Sequence, residues 1–242
     1  MKYLFYISFL LIIVANMQGC APYKAKQQFA AIDLPHLGSM VQLKKNVLYT
    51  KAAQIGQVQL EHPLQVEVRE MPFNKMSYKA YAYHSKQAGS TNTLAYADSI
   101  PVKPKYLRLE LQDRIALTQL LNTENNIGAR AYLENDPDYK IVTALSLTTS
   151  KSMEVQLLSA DEVRLGQTNL GKLFLELRTA NNIQEVHFQN LQVFDYEYAS
   201  FCWGEDQFNQ RKIKAIVNGE GCPKGTFKKP AKMDSRKSYL KF

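Results

Sequence analysis

The residues that could carry acid–base or metal chemistry are spread along the 242-residue sequence rather than grouped. The four histidines have no close partner and lie outside any HExxH zinc motif; they are His36, His62, His84 and His187. Two carboxylates from distant strands could still meet as a glycosidase pair, about 5 to 9 Å apart, because such a pair leaves no local sequence pattern. Local motifs therefore predict no catalytic residue, no metal ligand and no cofactor.

The segment GQTNLGKL, residues 166–173, has the two glycines and the lysine of a phosphate-binding loop. That loop needs Ser or Thr after the lysine to hold Mg²⁺, and a helix must follow so that its N terminus faces the phosphates. Here Leu173 follows Lys172, and the next residues alternate as in a strand. We therefore interpret this segment as the loop of a β-hairpin.

Alternation of apolar and polar residues is the main signal for the elements that must position any site. The segments LQVEVRE, YLRLELQ and KLFLELR place every second side chain on an apolar face, which is typical of half-buried strands. Further strand candidates between residues 139 and 198 are YKIVTALSLTT, MEVQLL, EVRL, IQEVHF and LQVFDYEY. Their short connections favour antiparallel neighbours. The predicted fold class is mainly β, an antiparallel meander that forms a β-sandwich or a barrel-like domain.

One helix is predicted around residues 113–124, in the segment DRIALTQLLNTEN. Asp113 can cap its first turn, and Leu117, Leu120 and Leu121 fall on one face. We predict one β-rich domain over residues 40–222, and a split near 134–139 is the alternative.

The N-terminal segment has the pattern of an export signal. Lys2 precedes an almost entirely apolar run from Tyr3 to Ala15, which is shorter than the roughly 20 residues of a bilayer span. An apolar core of about 7 to 15 residues before a small residue is typical of a signal peptide.

The run ends at Met17-Gln18-Gly19-Cys20, which resembles the lipobox of bacterial lipoproteins. The resemblance implies a signal peptide over residues 1–19, acylation of Cys20, and a lipidated tether over residues 20–39 that holds the chain on a membrane. It also implies the outer membrane, because Ala21 rather than Asp follows the cysteine. An ordinary secretory signal and an uncleaved anchor are the alternatives.

Two further cysteines remain once Cys20 is assigned to the lipid, Cys202 and Cys222. A remaining pair in an oxidising compartment most simply forms a disulfide. A reactive thiol and a metal pair are the alternatives, although neither cysteine has a close Cys or His of the kind that zinc sites use.

The formal charge of +8 is concentrated at the C terminus. The last segment, residues 223–242, has seven basic residues against Asp234: Lys224, Lys228, Lys229, Lys232, Arg236, Lys237 and Lys241. Such a tail is either a solvated, disordered segment or an accessory contact with anionic envelope material. Nucleic acid is not a predicted partner of an exported, acylated chain.

Aromatic residues cluster in the segment VFDYEYASFCWGED. Strand alternation predicts that Phe194, Tyr196 and Tyr198 share a face, and the single tryptophan, Trp203, follows beside Cys202. These side chains could pack in the core or form a platform for a glycan or a peptide, and Tyr196, Tyr198 and Trp203 are the candidate binding aromatics. The tyrosines of SYKAYAYHSK are open to the same two interpretations as a core strand or an exposed surface.

Two functions follow from these patterns. The first is a membrane-anchored envelope lipoprotein, not an enzyme, that binds or braces another envelope component, protein or glycan. The second is a lipid-anchored hydrolase of glycans or peptidoglycan. A deep cleft with two facing carboxylates, or a histidine beside an acid, would favour the hydrolase. An exposed aromatic strip or a free sheet edge would favour the binding protein.

Overall fold

Within the part of the chain that the structure describes, ten antiparallel strands form one curled, half-barrel sheet, so the predicted mainly β class is confirmed. The computed structural model describes residues 34–45, 50–89, 94–180, 182–219 and 221–233. The strands are β1 (Ser39–Lys45), β2 (Thr50–Gln57), β3 (Leu64–Pro72), β4 (Lys105–Leu111), β5 (Tyr139–Thr148), β6 (Glu162–Gln167), β7 (Leu173–Thr179), β8 (Asn182–His187), β9 (Gln192–Glu205) and β10 (Arg211–Val217). The helices are α1 (Lys75–Gln87), α2 (Arg114–Leu121), α3 (Ile127–Glu134) and α4 (Lys151–Ser159).

The sheet has the strand order β10-β9-β5-β4-β3-β6-β7-β8. Strand β1 pairs with the start of β5, where Met40 faces Ile141, and β2 pairs with β1. Two meanders make up most of the sheet: β3, β4 and β5 are consecutive neighbours, as are β6, β7 and β8. The non-consecutive pairings along this order are β3 with β6 and β5 with β9. The hairpin predicted around residues 166–173 is confirmed, because β6 and β7 pair on either side of it.

The alternating sequences place their leucines on the inner face of the sheet. In β4 the side chains of Leu107, Leu109 and Leu111 are buried, whereas Arg108 and Glu110 lie on the outer face. Strand β5 differs, because its residues are buried from Lys140 to Leu147. When a strand has neighbours on both sides and both of its faces are covered, its sequence is a nearly continuous run of apolar residues.

Three helices contribute to the inner core. The predicted helix is confirmed as α2: Asp113 accepts a hydrogen bond from the N–H of Ala116 at 2.7 Å, and the three leucines are buried. Leu133 of α3 and Leu157 of α4 are buried in the same core. Within the described ranges, no helix is both long and apolar enough to span a bilayer.

Two segments are helices: one was predicted as a strand, and the other was left open between a core strand and an exposed surface. The segment MEVQLL belongs to α4, where the Ser150 hydroxyl caps the N–H of Met153 at 3.3 Å, and Met153 and Leu157 face the core one turn apart. The segment SYKAYAYHSK belongs to α1, which begins with a capping box between Asn74 and Ser77. In both segments a cap and an i, i+3 or i, i+4 apolar spacing outweigh the β-preferring residues.

The predicted disulfide between Cys202 and Cys222 is present, with 5.6 Å between the Cα atoms. Beyond it, Phe227 pairs with Trp203 through two backbone hydrogen bonds of 2.8 and 2.9 Å. Met233 is only 5% exposed and belongs to the inner core. The first half of the basic segment is thus folded against β9.

Strand β10 lies at one end of the sheet, and α2 covers the middle of its outer edge. Asn122, which ends α2, accepts a hydrogen bond from the N–H of Ile213 at 3.1 Å and donates one to its carbonyl oxygen at 2.7 Å. A bulge at Lys214 follows. A bulge, a lysine and a covering helix are devices that protect an edge strand from pairing with another chain.

Candidate functional site

The outer face of the sheet carries a band of acidic and basic side chains across β3, β4 and β9. We call this set the outer charge band; its members are Glu67, Arg69, Arg108, Glu110, Asp195 and Glu197. They share a face because strand alternation places them opposite the inner leucines and the register aligns the strands.

Glu110 lies at the centre of three ion pairs. Its carboxylate lies 3.0 Å from the Arg69 guanidinium, 3.1 Å from that of Arg108 and 3.6 Å from that of Arg114, which begins α2. These three arginines occupy the Glu110 carboxylate with ion pairs from three directions.

Arg108 and Glu197 form a two-point ion pair, in which one of the two N–H donors lies 2.8 Å from Glu197 Oε2. The hydrogen bonds from Arg108 hold the pKa of Glu197 below its ordinary value of 4.5. The same contacts raise the pKa of Arg108. Planar, two-point pairs of this kind fix geometry as well as charge.

Asp195 lies on the same face two residues before Glu197, and it has a different environment. Although the residue is exposed overall, burial of its carboxyl group raises the pKa of Asp195, and the neighbouring charge of Glu197 acts in the same direction. His84 of α1 lies close enough to interact with it electrostatically: burial lowers the pKa of His84, and Asp195 partly opposes that shift. The structure thus places a histidine within electrostatic range of an acid.

An aromatic cluster lies next to the band, beneath α1. Phe73, Tyr81 and Phe194 are buried in it, with ring centroids 5.6 Å apart for Phe73 and Phe194 and 5.7 Å apart for Tyr81 and Phe194. Tyr106 of β4 packs on Phe73 at 4.9 Å. The tyrosines of α1 therefore serve mainly to attach the helix to the sheet.

The prediction that Phe194, Tyr196 and Tyr198 share one face is wrong. A bulge in β9, between the partners of Ser146 and Leu147, shifts the alternation, so that Phe194 packs under α1 while Tyr196 packs against the inner core. Single-residue insertions of this kind change which face a side chain occupies.

The candidate binding aromatics occupy three different environments. Trp203 is 2% exposed and belongs to the core, so its ring offers no face to a ligand. Tyr196 is partly buried and packs against the inner core. Tyr198 is 39% exposed. The structure does not bring these residues together as one platform.

The basic segment is divided between described and undescribed residues. Lys224, Lys229 and Lys232 are exposed and Lys228 is half-buried. Arg236, Lys237 and Lys241 lie outside the described residues, as does Cys20.

A cleft of about 590 Å³ lies between the connection from β2 to β3 and the turn from β6 to β7. Gln57, Gln59 and Leu60 lie on one side, and Thr168, Asn169 and Leu170 lie on the other. The volume is in the range of small-ligand pockets. The hairpin loop was predictable from the sequence but the cleft was not, because Gln57 and Gln59 belong to a distant segment without a recognisable motif.

The described residues contain no group of three or more His, Cys, Asp or Glu side chains that could hold a metal ion. Comparisons of the chain with protein families, with curated proteins and with solved structures give no match.

Proposed function

We propose that the protein is a bacterial envelope lipoprotein, anchored in the outer membrane by acylated Cys20, that binds or braces another envelope component through its β-domain. The disulfide is the structural observation that supports this proposal. Since Cys202 and Cys222 are joined to each other, Cys20 is the remaining cysteine of the three in the sequence. A disulfide is consistent with an oxidising compartment outside the cytosol, which is where a lipobox would direct the chain.

Binding rather than catalysis is favoured by the state of the outer charge band. Glu110 and Glu197 are both engaged by arginines, so these two carboxylates are less available to a substrate than unpaired ones would be. Paired charges on a sheet face suit a surface that recognises a partner by charge pattern. The exposed lysines of the basic segment provide an accessory contact with anionic envelope material that salt weakens.

Metabolic palmitate labelling and intact mass of the wild type and of Cys20→Ser test the anchor. The wild type is expected to incorporate label and to have the mass of residues 20–242 plus acyl groups, whereas Cys20→Ser incorporates none. An unlabelled wild type whose mature chain begins elsewhere would overturn the lipoprotein proposal. Crosslinking of the labelled protein in intact envelopes then identifies the bound component.

The hydrolase is the second candidate, because Asp195 lies two residues from Glu197 on the same face and within electrostatic range of His84. A carboxyl group with a raised pKa next to one with a lowered pKa is the arrangement of an acid–base pair in glycoside hydrolysis. Release of reducing ends from peptidoglycan by the purified wild type, abolished in Asp195→Asn and retained in the exposed control Glu185→Gln, would replace the binding proposal with this one. No release by the wild type would exclude it for that substrate.

A further inference from the structure

We infer that the cleft beside the β6–β7 turn binds a neutral, hydroxyl-rich ligand, an oligosaccharide of the envelope. This inference rests on the proposed function, since it specifies one envelope component and the surface that binds it. Three properties of the cleft support it: rigid walls, unpaired amide groups, and a lining without charge.

Both walls are held in place by side-chain amides. Gln167 accepts a hydrogen bond from the N–H of Leu60 at 2.8 Å and donates to the carbonyl oxygens of Val58 at 3.3 Å and Gly171 at 3.1 Å, so it joins one wall to the other. Asn126 holds residue Gln59 through two backbone hydrogen bonds of 2.9 Å each. A cleft formed before the ligand arrives loses little conformational entropy on binding.

The turn that forms the second wall is also fixed. Thr168 N–H bonds to the Lys172 carbonyl oxygen at 2.9 Å, and Gly171 N–H bonds to the Thr168 carbonyl oxygen at 2.8 Å. Gly171 has a φ of +81°, a conformation that glycine adopts without strain. Asn169 and Leu170 therefore sit at the tip of a tight, defined turn.

Amide groups in the lining are left without partners. Gln57 Oε1 is shielded from solvent and has no hydrogen-bond donor among the described residues. The side chains of Gln59 and Asn169 are exposed and form no hydrogen bond within the part of the chain that the structure describes. A buried acceptor without a donor carries a free-energy cost, and Gln57 is one of the residues that line the cleft.

The chemistry of the lining selects the class of ligand. Each side-chain amide has both hydrogen-bond donors and an acceptor. It therefore suits hydroxyl groups, which can donate or accept a hydrogen bond. Leu60 and Leu170, the latter 87% exposed, provide apolar surface for the C–H faces of a sugar ring. None of the described residues that line the cleft is charged, so a phosphate or a carboxylate would find no compensating cation there.

Peptide is the competing ligand class, because Asn126 and Gln167 already show side-chain amides bonding to backbone. A peptide, however, would add paired N–H and C=O groups along an open strand edge, and the cleft offers isolated amides on two facing walls. A neutral oligosaccharide, whose hydroxyl groups point in several directions, suits amides on two facing walls better. Binding of a peptide instead is one of the outcomes that the test distinguishes.

The test uses the full acylated chain in detergent micelles, with chitotetraose, maltotetraose and an uncharged tetrapeptide as probes in calorimetry or ligand-observed NMR. At least one saccharide is expected to bind, and Gln59→Ala combined with Asn169→Ala weakens it about tenfold or more, because two hydrogen bonds are lost. Both residues are exposed, so this variant is expected to fold. Gln54→Ala, an exposed glutamine of β2 outside the cleft, serves as the matched control and leaves affinity unchanged.

Saccharide binding that the double variant leaves unchanged, tetrapeptide binding without saccharide binding, or no binding of any probe would each overturn the inference. Failure of this inference and failure of the proposed function give different results. If the wild type is labelled and acylated but does not bind the saccharides, only the inference that the cleft binds an oligosaccharide is contradicted. A wild type without acyl groups that still binds saccharide contradicts only the lipoprotein proposal.

Discussion

Arg108 of β4 and Glu197 of β9 pair across β5, the strand that lies between them. They can meet because the β5 residues in their path have short side chains: Ser146 faces Arg108, and Ala144 faces Glu197. Both short residues are buried beneath the pair. The ion pair therefore acts as a clamp over three strands.

Replacement of Arg108 by Leu tests this clamp. Its side chain is 17% exposed, and its loss leaves Glu110 and Glu197 with fewer partners. We expect the free energy of unfolding to fall by roughly 1 to 3 kcal/mol, measured by urea denaturation. In a double-mutant cycle, Glu197→Gln should cost much less in the Arg108→Leu background than in the wild type. Additive effects would show that the pair contributes nothing.

The two neighbouring carboxyl groups of β9 are expected to affect stability with opposite signs. The pKa of Glu197 is lowered on folding, so its contribution is present above the unfolded value of 4.5 and is lost as the pH falls through the folded pKa. The pKa of Asp195 is raised on folding, so its carboxylate costs stability above the folded pKa.

Glu197→Gln should therefore destabilise the protein at pH 7 and Asp195→Asn should stabilise it. The effect of Asp195→Asn should narrow as the pH falls from the raised folded pKa of Asp195 to its ordinary value of 3.8. The effect of Glu197→Gln should narrow only as the pH falls below the ordinary value of 4.5, towards the lowered folded pKa of Glu197. Asn keeps an acceptor for the N–H of Tyr196, which bonds to Asp195 at 2.9 Å. Urea denaturation at pH 7 and at pH 3.5 measures this, and a shift of the same sign for both variants at pH 7 would contradict it.

Asn122→Ala is expected to open the edge of β10. The N–H and carbonyl oxygen of Ile213 lose their partners, and we expect a loss of about 1 to 3 kcal/mol together with concentration-dependent association through the exposed edge. Denaturation and light scattering measure the two effects. Asn135→Ala removes an exposed amide at the end of α3 and is the control, which should remain unassociated. Equal behaviour of the two variants would mean that Asn122 does not protect the edge.

Replacement of both Cys202 and Cys222 by Ala should lower stability by about 3 kcal/mol on the chain-entropy account, because the bond closes a loop with a sequence separation of 20. Thermal unfolding with and without a reductant is the measurement. Reductant should lower the midpoint of the wild type and leave that of the double variant unchanged. If full reduction left the midpoint of thermal unfolding of the wild type unchanged, the disulfide would not be required for stability.

Met233→Ala tests whether the start of the basic segment belongs to the folded domain. Because Met233 is buried in the inner core, we expect a loss of about 2 to 5 kcal/mol. Met76 is 78% exposed at the start of α1, so Met76→Ala is a matched control with little effect. Equal, small effects in urea denaturation would indicate that the C-terminal segment does not pack on the domain.

The strands were predictable where burial on one face repeats every second residue, as Leu107, Leu109 and Leu111 show. The helices α1 and α4 were not, because their tyrosine and valine content favours strands locally, while their caps and their packing on the sheet decide otherwise. The outer charge band could not be predicted, since it depends on the register between strands that are far apart in the sequence. Arg108 of β4 and Glu197 of β9 are an example. The same holds for the cleft, whose walls come from two distant segments.

The pairing of β5 also limits the order in which the protein can fold. Its partners are β1, which precedes it by about a hundred residues, β4, and β9, which ends only at Glu205. During synthesis from the N terminus, the most buried strand of the sheet is therefore made long before its last partner. In that interval one of its edges is free to pair with another chain. We therefore expect misfolding of this protein to begin at the free edge of β5, whatever the free energy of unfolding of the complete sheet.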